Sequence, residues 1–288
     1  MKIDLHCHSH FSDGQLTIPE LINRAHNMQV DVLAITDHDT VTGIPVAQAY
    51  QRQQKRPLTI IPGIELSTSW HGFDIHVIGL NVDIDDELFQ QRLAQQAQSR
   101  LERAVLIGEK LEKAGIPDMF AKAQAIAGVG QVTRAHFARA MVREAVVDDM
   151  DKAFKKYLGK DKRAHVKPVW ITIDEAVAWI QQAGGQAVLA HPGHYDLSAK
   201  WLRRLIEYFK QAGGDGMEVI HSHLSPQAKQ QMAAYANEYE LLGSSGSDFH
   251  FPNRWTELGK NLSLPDNVMP IWHDWNIAEL AAQSRVSN

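Results

Sequence analysis

The sequence predicts an α/β fold: βα units around a mostly parallel sheet, interrupted by one mainly helical insertion. Three observations predict it. Short apolar, β-branched runs recur along the chain with helical patterns between them: "KIDL", "VDVLAIT", "LTIIPGIEL", "DIHVIGL", "QAVLA", "GMEVI" and "LLGSSGS". That alternation is what βα units produce. Residues from about 85 to 167 hold no convincing strand and are rich in Gln, Ala, Lys and Arg. A length of 288 residues suits one large α/β domain carrying such an insertion. The expected division is a sheet-bearing body of residues 1–84 and 168–288, with 85–167 as an inserted helical subdomain.

Taken in order, "KIDL" is the first strand. The helix expected over 17–28 begins at "TIPE", where Thr17 can cap and Pro19 and Glu20 suit the first turn. "VDVLAIT" is the second strand and precedes a helix over 41–55; "LTIIPGIEL" and "DIHVIGL" are the third and fourth strands. In the insertion, Leu93, Ala97 and Leu101 lie one turn apart and Leu111 precedes a stop at Gly115 to Pro117, which predicts a long amphipathic helix. "GQVTRAHFARAMV" places Arg134 and His136 on an otherwise apolar helix start. Helices over 173–184, 198–212 and 225–240 follow, the first capped by Thr172 or Asp174. Gly184-Gly185 and Gly213-Gly214 stand where helices should end.

Composition narrows the function. A net charge of −5 argues against a protein that coats long nucleic acid, so a nucleic-acid substrate would be short and no long duplex is expected. No apolar run approaches the roughly 18 residues of a membrane span, and no signal or transit pattern is visible, so a cytoplasmic location without membrane contact is expected. The single cysteine, Cys7, excludes an internal disulfide; between His6 and His8 on an extended segment its side chain should point the other way, into packing.

The positions of His, Asp and Glu separate this chain from a generic α/β protein. His6 and His8 follow the first strand, Asp37 and His38 the second, Glu65 the "IIPGI" run; His76 lies in or beside "DIHVIGL", His191 follows "AVLA", and Asp248 and His250 follow "LLGSSGS". Six strands thus deliver ligand-type side chains, nearly all at carboxyl ends, the edge where parallel α/β proteins build active sites. Alternate residues of an extended segment share a face, so His6 and His8 can grip one ion. Asp39 is expected to cap the next helix. Imidazoles mixed with carboxylates and no useful thiolate suit Zn, Mn or Fe(II) rather than Ca or Mg. With Asp13 the candidates number nine, too many for one ion, so two or three are implied. Three divalent ions facing three carboxylates would leave a site that attracts phosphate and activates water.

"DLHCHSHFSDG", "AITDHDT", "IPGIELS", "HVIGL", "LAHPG" and "GSDFH" resemble, in order and spacing, the motifs of the PHP (polymerase and histidinol phosphatase) family of metal-dependent phosphoesterases. "VTRAHFARAMV", "FKKYLG" and "GDGMEV" are similar to a bacterial branch of 3′,5′-nucleotide bisphosphate phosphatases and 5′-to-3′ exoribonucleases. The resemblance implies a distorted (β/α)7 barrel and a trinuclear centre, manganese first, with iron and zinc as alternatives. It implies one ion on His6, His8, Glu65 and Asp248; a second sharing Glu65 with His76 and His191; a third on Asp13, His38 and His250. Asp37 would orient a ligand imidazole. Arg134 would grip a substrate phosphate at the barrel mouth, with His136 either in contact with substrate or packed in its helix. "HPGHY" places His194 where an arginine is expected. His223 in "EVIHSHLSP" is a candidate phosphate ligand or proton donor, whereas His221 reads as a surface residue. His10 receives no role.

The implied activity is attack of a metal-bridging hydroxide on phosphorus, removing the 3′-phosphate of pAp-like bisphosphonucleotides or trimming short 5′-phosphorylated RNA from its 5′ end, with 85–167 as a substrate-binding subdomain. The rivals are a histidinol-phosphate or other small-molecule phosphatase of the same family, and a metal-binding or scaffold module without catalysis. An amidohydrolase also places an HxH pair on a barrel strand, but the "TDH" and "GSDFH" elements fit the phosphoesterase pattern better.

Overall fold

The computed structural model describes residues 1–222 and 224–277. Seven strands follow one another in chain order around a single sheet: β1 (Ile3–Asp4), β2 (Val32–Ile35), β3 (Thr59–Trp70), β4 (Phe73–Leu80), β5 (Gln186–Leu189), β6 (Gly216–His221) and β7 (Leu242–Gly246). Beyond β1 and β7 the backbone closes the ring, with Leu5 N–H donating to Ser245 O at 3.0 Å and His8 N–H to Phe249 O at 2.9 Å. The α/β class and the distorted seven-stranded barrel expected from the sequence are both present.

The sheet is parallel except at β4, which runs antiparallel to β3 and to β5. The cause is local. His71 and Gly72 join β3 to β4 with φ of 48° and 77°, the pair of positive angles that a two-residue hairpin turn demands. Strands three and four are therefore one hairpin with no helix between them, which distorts the barrel and moves two candidate ligands off the strand ends. Glu65 lies in the middle of β3, and His76, paired in register with Ser67, lies within β4. Because β4 runs backwards, its opening half meets the rim reached by the closing halves of its parallel neighbours.

Helices α1 (Ile18–Asn27) and α2 (Gly43–Arg52) pack outside β1 to β3. Thr17 and Glu20 form the expected capping box on α1. Asp39 caps nothing; α2 takes Thr42 as its N-cap residue, and the Asp39 carboxylate turns inward to an arginine. One strand face, including Leu5, Val32, Ala34, Ile61, Ile78 and Val188, fills the barrel; the other packs against the helices.

Between β4 and β5 run α3 (Glu87–Lys113), α4 (Met119–Ala127), α5 (Arg134–Arg143), α6 (Met150–Ala153) and a π-helical turn, Phe154–Leu158. They bury an apolar cluster of their own, including Ile107, Leu111, Phe137, Met141 and Leu158. The buried stripe of α3 differs from the expected one: Leu93 is buried, but Leu101 is 43% exposed. Successive i+4 steps drift around a helix of 3.6 residues per turn, and the inward positions fall to Gln96, Arg100 and Arg103. The barrel resumes with α7 (Ile173–Gln182), capped by Thr172 with Glu175, then α8 (Ala199–Gln211) and α9 (Pro226–Glu238). Gly184 and Gly213 follow α7 and α8 with φ of 73° and 95°, where a Cβ would be strained.

Candidate metal centre and adjoining arginine cavity

The structure gathers all nine candidate ligands at one rim of the barrel. Glu65, 1% exposed, is at the centre of the cluster. Its Oε1 lies 2.8 Å from His76 Nδ1 and 3.0 Å from His191 Nε2. Its Oε2 lies 3.4 Å from His6 Nε2, 3.2 Å from His8 Nε2 and 3.2 Å from His38 Nδ1. Asp248 Oδ1 approaches His8 Nε2 at 3.2 Å, and Asp13 Oδ1 approaches His250 Nε2 at 3.3 Å. Three groups have ligand atoms within 4.8 Å of one another: His6, His8 and Asp248; His38, Glu65 and His76; and His8, Asp13, His38 and His250.

These residues fit divalent ions. Asp13 Oδ1 and His38 Nδ1 are buried without a hydrogen-bond partner, and unsatisfied buried polar atoms are costly unless something binds them. His6 Nε2 and His8 Nε2 face each other at 3.1 Å. Burial by itself would raise the three carboxyls, but the surrounding imidazoles hold Asp13, Glu65 and Asp248 well below the usual carboxylate range. Burial lowers His38 to about 3, so it stays neutral and able to ligate. Burial also depresses His8, yet Asp248 and Glu65 raise it to about 10; a cation bound there must displace that proton, so its affinity falls as pH falls. His191 and Asp248 have φ of 31° and 53°, strained backbone of the kind found at functional sites.

A buried shell that sequence reading missed orients the candidate ligands. Glu218, 0% exposed, accepts from His6 Nδ1 at 3.0 Å and from His191 N–H at 2.6 Å. This assigns the His6 proton to Nδ1 and turns Nε2 toward the centre. A lone acid in the buried run "GMEVI" was the available signal. Glu218→Gln should weaken metal affinity about 10- to 100-fold, read by competition against a fluorescent chelator. Among the described residues Asp37 hydrogen-bonds no imidazole: it accepts from Ser9 N–H at 2.7 Å, Ser9 Oγ at 2.6 Å and Ser12 Oγ at 2.6 Å. Its link to a ligand runs through Ser12, whose Oγ is 3.4 Å from His8 Nδ1. Cys7 is buried and donates to Ala34 O at 3.2 Å, facing away as expected.

Beside Asp13, His38 and His76 opens a cavity of about 130 Å³, walled by Arg103, Arg134 and Phe154 among others. Arg134 is part of this wall, held 3.3 Å from Asp74 with both side chains 31% exposed. Arg100 and Arg103 were not foreseen, because on a surface helix they resemble solvated charges. Arg100 is neutralised by Asp39. Arg103 donates through Nε to Val166 O at 3.1 Å, while its Nη2 is buried without a partner. Burial, with Arg134 and Arg100 nearby, lowers Arg103 to about 10, so it remains cationic at neutral pH. A larger cavity of about 680 Å³ near Met1, Lys2 and Trp272 has neither histidine nor arginine in its wall among the described residues, so volume alone does not mark the site.

The remaining candidates divide. His136 is 2% exposed, and its Nδ1 accepts from Thr133 N–H at 3.0 Å, capping its own helix; only Nε2 is left for substrate. Burial lowers it to about 4 from 6.5. The unfolded chain therefore binds more protons between those values, and stability falls as pH drops through this window. His136→Gln preserves the capping box and should reduce that fall, read as urea midpoints across the range; His221, also lowered to about 4 by burial, retains part of it. His194 is exposed, its ring 6.2 Å from that of His191 and 3.9 Å from that of His221. His221 is not a surface residue: at the end of β6 it is 1% exposed, with Nε2 buried and unpartnered. His223 lies outside the described residues.

The chain is similar to known proteins over most of its length. A 5′-3′ exoribonuclease (Rnm) of Escherichia coli strain K12 is 48% identical over 272 residues, 94% of this chain and 93% of that protein. A 3′,5′-nucleoside bisphosphate phosphatase of Chromobacterium violaceum is 39% identical over 275 residues, 95% of this chain and 96% of that protein. A solved structure from Chromobacterium violaceum, described as an amidohydrolase with bound sulfate and no metal, superposes with a TM-score of 0.89 at 39% identity, covering 98% of this chain and 97% of that one. The model of the PHP domain matches residues 4–162. By the ligand arrangement, these likenesses and that match, the chain belongs to the PHP domain family.

Proposed function

We propose that this protein is a metal-dependent phosphoric ester hydrolase that removes the 3′-phosphate of pAp-like 3′,5′-bisphosphonucleotides and trims short 5′-phosphorylated RNA from its 5′ end. The observation that carries the reading is a histidine-carboxylate cluster opening directly onto a cavity walled in part by Arg103, whose buried Nη2 has no hydrogen-bond partner among the described residues. Such a pair of neighbouring sites matches a substrate with two anionic groups a sugar apart. A simple monoester would leave the arginine wall unused, which sets histidinol phosphate and similar esters below the bisphosphonucleotide.

His6, His8, Glu65 and Asp248 would hold one ion, Glu65 with His76 and His191 a second, and Asp13, His38 and His250 a third, with manganese the expected metal. Divalent ions bound there supply Lewis acidity toward phosphoryl oxygens and lower the pKa of a water. The protein's part is positioning: Glu218 fixes His6 and the backbone of His191, and Asp37 fixes the Ser9–Ser12 turn. Arg103 and Arg134 bind the phosphate that does not react, and the segment 85–167 that carries them serves as the substrate-binding part. Phe154 and Trp170 supply apolar wall for sugar or base. His194 and His223 are proposed to contact phosphate or leaving group, and Asp37 supports catalysis from beneath His8. No helix is long and apolar enough to cross a membrane among the described residues.

The test is a panel of pAp, short 5′-phosphorylated RNA and histidinol phosphate with protein of measured metal content. Three equivalents of metal and a preference for the first two substrates are expected. Arg103→Met should raise KM for pAp about 10- to 100-fold with less effect on kcat, since a charged hydrogen bond contributes roughly 1.5–3 kcal/mol. Inactivity on both nucleotide substrates, or a preference for histidinol phosphate, overturns the reading.

A further inference from the structure

Residues 154–167 read "FKKYLGKDKRAHVK". Lys155, Lys156, Lys160, Lys162, Arg163 and Lys167 are all exposed, against one acid, Asp161. None of the six makes an ion pair among the described residues. On a chain whose net charge is −5, this concentration of uncompensated cations is a local reversal of sign that the nucleotide cavity does not use.

Its position connects it to the site. Tyr157 and Leu158 are buried in the core of the helical segment and hold the π-helical turn, a distortion often found at functional sites. Phe154, which opens that turn, faces the cavity with the Arg134 guanidinium 6.0 Å from its ring centre. Lys155 and Lys156 are exposed on the same turn, with Lys156 Nζ 5.2 Å from the ring centre of Tyr157. Further along, Lys160 Nζ lies 5.4 Å from the ring centre of Phe73. Phe73 precedes Asp74, the residue that holds Arg134 in the cavity wall, and its ring is 6.1 Å from that of Trp201, over which Arg204 lies at 5.1 Å. Phe73 and Trp201 are both partly exposed. Cations and partly exposed aromatic rings therefore alternate outward from the cavity mouth.

We infer that this ridge is a track for single-stranded RNA. The 5′-terminal nucleotide occupies the cavity and the metal cluster, and the nucleotides behind it lay phosphates along Lys155, Lys156, Lys160 and Lys162 and bases against Phe73 and Trp201. Interleaved cations and aromatic rings are the composition by which proteins hold single strands without reading sequence. An anionic membrane is the poorer match, because continuity with the cavity selects the chain whose end the cavity accepts. The inference rests on the exoribonuclease half of the proposed function. It adds that RNA and pAp share the chemistry but not the whole surface: a mononucleotide ends inside the cavity.

The experiment compares metal-loaded wild type with the variant Lys155→Glu/Lys156→Glu/Lys160→Glu/Lys162→Glu, and with the corresponding four-glutamine variant as a milder control. Substrates are pAp and a 5′-phosphorylated oligoribonucleotide of on the order of ten nucleotides. For RNA, kcat/KM should fall about tenfold or more at low salt, through KM, while pAp hydrolysis is unchanged. The slope of log(kcat/KM) for RNA against log[salt] should flatten by about 0.7 for each phosphate contact removed. Equal losses on both substrates would show damage to the cavity and overturn the track. Unchanged RNA kinetics and salt slope would also overturn it and leave the ridge to another partner, such as an acidic lipid or protein. A wild type active on pAp and inert on RNA would remove the exoribonuclease reading and the track together, leaving the phosphatase reading intact.

Discussion

Glu65→Gln is expected to abolish hydrolysis of every phosphoester, lowering kcat by roughly a thousandfold or more, the several kcal/mol that bound divalent ions supply to charge development on phosphorus. Five histidines converge on this one carboxylate, His76 and His191 on one oxygen and His6, His8 and His38 on the other. An amide keeps the shape but removes the charge and presents N–H groups where a ligand needs a lone pair. Loss of more than one equivalent of metal should accompany the loss of rate, measured on protein purified without added ions. Retention of full metal content with near-normal kcat would show that the cluster is not organised around Glu65. The substitution is nearly isosteric and lies in the middle of a long strand paired on both sides, so circular dichroism should stay that of wild type.

Asp39→Asn is expected to destabilise the fold by roughly 3–5 kcal/mol, the usual consequence of removing one partner from a buried ion pair. Asp39 is 1% exposed and Arg100 8%. The carboxylate also accepts from Ser67 N–H at 2.8 Å, and the Asp39 N–H donates to Glu65 O at 3.0 Å. Asparagine tolerates the φ of 53° found at this position, so the effect isolates the charge. Without it the guanidinium remains buried and uncompensated; Asp39→Asn/Arg100→Met should therefore be more stable than Asp39→Asn alone, as read by urea denaturation of the two variants. The acid limb carries the same signature. Burial would raise the Asp39 carboxyl, but Arg100 holds it below its ordinary value; its stabilisation is present above the unfolded value and lost as pH falls through the lower folded one. The asparagine variant should lack that part of the acid transition, and a double variant no more stable than the single one would show that the pair contributes little.

These two residues mark how far the sequence could be read. Glu65 was recognisable because it recurs with His6, His8, His38 and Asp248 in clusters next to apolar runs, a local pattern that survives without coordinates. Asp39 sits in the same "TDHD" stretch and was read as a helix cap, since one residue type serves both purposes and only the partner distinguishes them. That partner, Arg100, is 61 positions away. The buried His221 reads as a surface residue, and Arg103 carries no signal at all, for the same reason: charge and exposure on a helix or strand end depend on what packs there. Glu218 was passed over as one acid in an apolar strand.

What the sequence determined by itself was the set of periodic elements, the boundaries of most helices and the ligand-bearing motifs, because hydrophobic period, capping residues and short motifs act within a few residues. The tertiary structure decided the rest. The positive backbone angles of His71 and Gly72 reverse β4 and bring His76 to the ligand rim. The docking of α3 places Arg103 in the wall of the cavity and Arg100 against Asp39. Both outcomes depend on contacts between distant segments, whose geometry no single stretch of chain encodes.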